Sequence, residues 1–74
     1  MEKKEKIELL QNYFNCLELL NDNFIHYDYD HNIMAHYFMF SDIIYSSQIK
    51  YIVSLNLDFH LISIDKNIYL AIRN

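Results

Sequence analysis

The 74-residue chain carries ten Asp and Glu against six Lys and Arg, for a formal net charge of −4, and has no glycine, proline or tryptophan. Its length bounds it to a single domain, residues 1–74, with a small core; its one cysteine, Cys16, excludes an internal disulfide and a multi-cysteine zinc site, and the missing glycines exclude dinucleotide and P-loop phosphate cradles. Sparse basic side chains, with Arg73 the sole arginine and three of five lysines within the first six residues, argue against direct contact with nucleic acid, which needs a clustered Lys/Arg face.

Residues 3–21 read as a helix. Ile7, Leu10, Phe14, Leu17 and Leu20 follow one helical row, Leu9, Tyr13 and Cys16 a second, and Glu8, Gln11, Asn12, Asn15 and Glu18 the polar stripe opposite. Asn21-Asp22-Asn23 is the stop signal, an asparagine standing in for the usual glycine. Cys16 and Tyr13 are read as core members, and Cys16 paired with a histidine as a nucleophile is the weaker alternative.

Phe24–Tyr29 alternates, with Ile25, Tyr27 and Tyr29 on one face and His26, Asp28 and Asp30 on the other, so it is expected to be a strand with an acidic outer face. Asp30-His31-Asn32 follows as a turn, because Asp and Asn tolerate the left-handed region and bond their own backbone. Residues 33–40 are apolar on both faces, which suits a returning strand; a second helix over residues 33–47 is the alternative. Ser41–Gln48 reads as a wide loop or a single helical turn.

Ile49–Leu57 is the longest alternating run, with Ile49, Tyr51, Val53, Leu55 and Leu57 on one face and Ile52 the lone apolar residue on the other. It is expected to be the central strand. A further strand around His60 to Ile64, the turn Asp65-Lys66-Asn67 and a closing strand from Ile68 complete the chain, with no repeat and no linker in the sequence. The fold expected is α+β: one long N-terminal helix on a four- or five-stranded antiparallel sheet. More aromatic and aliphatic side chains remain than one helix can cover, so a second apolar face is expected to meet another protein, a copy of the chain or a target.

His26, Asp28, Asp30 and His36 are the only candidate metal ligands, at a spacing that matches no standard site; a small metal-binding domain is therefore an alternative, and no cofactor is expected. The Tyr-Asp alternation favours a different role. Tyr27, Asp28, Tyr29, Asp30, His31 and His36 combine broad amphipathic rings with carboxylates, as expected of an interface that engages a larger protein with a basic surface. No run is long and apolar enough to span a membrane and no secretory h-region follows Met1, so a soluble cytoplasmic protein is expected. Residues with A/T-rich codons make up more than half the chain. With the small size and lack of catalytic parts, this is the character of a phage or mobile-element inhibitor, such as an anti-CRISPR protein acting in the host cytoplasm. A non-enzymatic interaction module is the expected function, and a homodimeric structural or regulatory subunit is the other class.

Overall fold

An amphipathic start makes the first helix. Glu2 is extended at its N-cap, its carbonyl accepts from the Lys6 amide at 3.1 Å, and Ile7, Leu10 and Phe14 repeat on one buried face. The computed structural model describes residues 1–74 and runs α1 (Lys3–Phe14), a 3₁₀ turn (Leu17–Leu19), β1 (Phe24–Asp30), β2 (Ala35–Phe40), α2 (Ser46–Ser54), β3 (His60–Ile64) and β4 (Asn67–Arg73).

The chain is α+β, with two helices and one four-stranded sheet in the order β1-β2-β4-β3, every neighbouring pair antiparallel. The helices fall on one side. Phe38 and Phe40 of β2, with Leu70 and Ile72 of β4, meet Ile7, Leu10 and Phe14 of α1 and Ile52 of α2 in one buried cluster. Phe14 is its hub, with ring centroids 5.4 Å from Phe24, 5.4 Å from Phe38 and 4.9 Å from Phe40. Each such ring removed from water contributes about 2 kcal/mol, so these four aromatics and their aliphatic neighbours account for much of what a domain of this size can gain.

Two expectations are corrected. Helix α1 stops at Phe14 instead of continuing to residue 21; Cys16 is extended, and Leu17 and Leu20 stand 89% and 78% exposed. A helix reaching residue 21 would be about 28 Å long and would overhang a six-residue strand of about 20 Å, leaving those leucines nothing to pack on. Residues 49–57 contain no strand: most of them lie in α2, and the sheet has four strands. At helical spacing Gln48 and Ile52 share a buried face flanked by Tyr51 and Leu55. Ile52, which broke the alternation, is fully buried, while Val53, which obeyed it, is exposed. The second helix thus lies at 46–54 and not at 33–47, where β2 runs.

The topology also holds a repeat that the residues do not advertise. Helix, hairpin, helix, hairpin gives two αββ units, α1-β1-β2 and α2-β3-β4, whose second strands pair at the sheet centre and whose first strands form its two edges. Each unit turns at the same places through the left-handed region. Leu20 (φ 52°) and Asn56 (φ 55°) each stand four residues before the edge strand, and Met34 (φ 52°) and Asp65 (φ 56°) each lie in the hairpin connection. Without glycine, that geometry falls on Asn and Asp in the second unit as expected, and on Leu and Met in the first.

The units are joined by two buried amides. Asn23 Nδ2 donates to Gln48 Oε1 at 2.8 Å, and Gln48 Nε2 returns a bond to Asn23 Oδ1 at 2.9 Å. Further bonds satisfy the pair: Asn23 Nδ2 to the Ile43 carbonyl, Gln48 Nε2 to Asn21 Oδ1, and the Tyr45 amide to Gln48 Oε1, which also ties off the N-terminus of α2. Buried amides with all donors used fix the approach of the β2–α2 loop to the entry of β1.

Candidate functional site on the open sheet face

Because the helices occupy one side of the sheet, the alternate residues of every strand form an open face. Cross-strand pairing arranges them in rows. His26, Met39, Tyr69 and Ile62 make one; Asp28, Tyr37, Ala71 and His60 the next; Asp30, Ala35 and Arg73 the third. The face is acidic along β1, aromatic at its centre and aliphatic along β3. Right-handed sheet twist bends it into a concavity of about 670 Å³ that reaches from His26, Asp28 and Asp30 across Tyr37 and Met39 to Tyr69, Ile62 and Ile64. Tyr37 and Tyr69 meet edge to face, 6.3 Å between centroids, and hold each other upright in its floor.

Asp28 and Asp30 owe their positions to local bonds. Asp28 Oδ1 accepts from the Tyr29 amide at 2.8 Å, and Asp30 Oδ1 accepts from the Asn32 amide at 2.8 Å, closing the expected turn. The rest of each carboxylate is free to take a cation or a donor from outside. Tyr29 and His31 extend the same end of the concavity, with their rings 4.8 Å apart.

The six residues expected at a partner surface are therefore divided. Asp28, Asp30 and His31 line the open concavity; Tyr29 borders its end, but its side chain falls with Tyr27 and His36 on the helix side. There the Tyr27 hydroxyl lies 2.7 Å from His36 Nδ1, His36 Nε2 lies 2.8 Å from Asn74 Oδ1, and Asn74 Nδ2 donates to the Tyr29 hydroxyl at 2.6 Å. The Asn74 carbonyl oxygen can only accept, so neutral His36 carries its proton on Nε2 and takes the Tyr27 proton as a hydrogen bond at Nδ1. Burial raises the Tyr27 pKa above its ordinary value, and the neighbouring Asp28 and Tyr29 charges raise it further. Tyr45 is raised chiefly by its hydrogen bond to Asp22, 2.8 Å from hydroxyl to Oδ1.

The candidate metal set fails on the same division. His26, Asp28 and Asp30 lie on the open face and His36 on the other, and nowhere do three His, Cys, Asp or Glu side chains gather so as to hold an ion. Cys16 is half-buried beside the 3₁₀ turn. Sequence reasoning missed the far half of the concavity: Tyr37, Met39, Ile62 and Tyr69 join it through strand register, and the odd-numbered phase shared by Tyr37, Met39 and Tyr69 is the only trace of it in the chain. No helix is long and apolar enough to cross a membrane. No family model matches the chain, and comparison with curated proteins and with solved structures finds no match.

Proposed function

We propose that the protein is a small non-enzymatic interaction module that occludes a basic surface of a larger protein, in the manner of a phage or mobile-element inhibitor of the anti-CRISPR kind. One observation carries this reading: the open sheet face is a broad concavity with carboxylates along one rim and tyrosines in its floor. A lysine or arginine of the partner sits between Asp28 and Asp30, and its aliphatic stem lies on Tyr37 and Tyr69. Such a surface combines electrostatic steering with rigid aromatic contact area. Tyr27 and His36 support the interface from behind by fixing β1 against β2 and do not touch the partner.

Affinity capture from a host-cell extract, followed by mass spectrometry, identifies the partner. The test compares the wild-type chain with the Asp28→Lys/Asp30→Asn variant, in which asparagine keeps the turn bond to Asn32 while the rim changes sign. The expected result is loss of the captured partner, a drop in affinity of about ten-fold or more, with an unchanged circular-dichroism melt. Equal capture by both chains refutes the reading, and a collapsed melt reassigns the two carboxylates to folding.

A further inference from the structure

The two edges of the sheet are built differently, and the bare one fits a second copy of this chain. Edge β1 is interrupted by a bulge between Phe24 and His26 and carries Asp28 and Asp30, the devices that prevent strand addition. Edge β3, His-Leu-Ile-Ser-Ile, has no bulge, no proline and no Asp, Glu, Lys or Arg, and all five of its residues are exposed. Its outward N–H and C=O groups have no strand beside them, and Leu61, Ile62 and Ile64 offer apolar side chains to both faces of whatever pairs there.

We infer that the protein forms a two-fold dimer by antiparallel pairing of β3 with the β3 of a second copy, centred on Ile62, so that the two sheets join into one. Three observations select this occupant and this register. First, pairing about Ile62 sets Leu61 against the partner's Ser63 and His60 against the partner's Ile64. Residues of equal parity oppose each other, so outward amides meet outward amides and both open faces stay on the same side. Second, the same register carries Asp58, just before β3, to the partner's Lys66 in the hairpin turn, giving one oppositely charged pair at each end of the seam. Moving the centre to Leu61 puts Asp58 against Ile64, and moving it to Ser63 puts Lys66 against His60; only the Ile62 register matches charge with charge. Third, a chain of net charge −4 meets its copy with least repulsion at the edge farthest from Asp28 and Asp30. Ile62 and Ile64, exposed at the rim of each monomer's concavity, come together at the seam. The dimer thus presents one long face that is aliphatic at the middle and acidic at both ends.

Sedimentation equilibrium of the full chain, from low micromolar to near-millimolar concentration, is the test. The wild type is expected to pass from monomer to dimer. Asp58→Lys and Lys66→Asp, both at exposed positions outside the strands, should each raise the dissociation constant about ten-fold by creating two like-charge pairs, and the double swap Asp58→Lys/Lys66→Asp should restore it to within about two-fold of wild type. Ile62→Lys, which sets two lysines face to face on the two-fold axis, should leave a monomer. A wild-type chain that stays monomeric throughout overturns the inference, as does a dimer indifferent to both single swaps. Circular-dichroism melts accompany each variant, and the exposed charge swaps decide the matter even where Ile62→Lys does not fold.

Discussion

The first αββ unit and the second have the same order of parts but solve their local problems with different residues. Helix α1 needs only its apolar row, Ile7, Leu10 and Phe14, whereas the shorter α2 borrows Gln48 to tie its N-terminus to the first unit. Left-handed backbone falls on Leu20 and Met34 in the first unit and on Asn56 and Asp65 in the second. Edge β1 is bulged and acidic, while β3 is regular and uncharged. Topology is thus shared where packing demands it, and the residues diverge where each edge faces something different.

That contrast can be broken most severely at the amide clamp. Gln48→Ala leaves Asn23 buried with its partner gone and frees the N-terminus of α2, so we expect a loss of about 3 kcal/mol in chemical denaturation, against well under 1 kcal/mol for the exposed helix residue Lys50→Ala. Equal small losses at both positions would mean that the units dock without the clamp.

The left-handed positions sharpen the comparison at about 1 kcal/mol. Leu20 is largely exposed, so Leu20→Asn sheds steric strain without losing packing and should stabilise the chain by about that amount, while Asn56→Leu should cost a similar amount. Matching signs for the two substitutions, read from denaturation midpoints, would contradict the equivalence of the two sites.

The smallest expected effect is alkaline. Tyr27 binds its proton more tightly in the folded chain than at the ordinary value of 10.0, so its contribution is intact below that pH and declines as pH rises from there through the raised folded value. Tyr27→Phe should therefore flatten part of the stability loss above pH 10.0 relative to the wild type. An alkaline profile of Tyr27→Phe identical to that of the wild type would contradict a part for Tyr27 in that loss.

Much of this architecture was legible in the residues, and its failures have physical causes. Strand β1 could be read because one face is acidic and the other aromatic, and the turn after it because Asp30 can bond the Asn32 amide. Helix α2 carries a strand-like pattern because alternating side chains over nine residues satisfy both periods, and the deciding residue is polar: Gln48 is buried through bonds to Asn23, 25 positions away, which no periodicity reports. The same limit halved the site. Asp28, Asp30 and His31 are close in sequence and can be read together, but Tyr37, Tyr69 and Ile62 reach them only through the registers of three strand pairs. Tyr27, Tyr29 and His36 stand close to the carboxylates along the chain, but strand alternation and register turn their side chains to the other face.

The difference between the two edges can be read amide by amide through native-state hydrogen exchange, followed by NMR at low micromolar and near-millimolar concentration. The outward amides of β3 should exchange more slowly as concentration rises, while those at the β1 edge keep their rates; slowing at β1 instead, or at neither edge, would contradict the assignment of β3 as the face kept for a second copy.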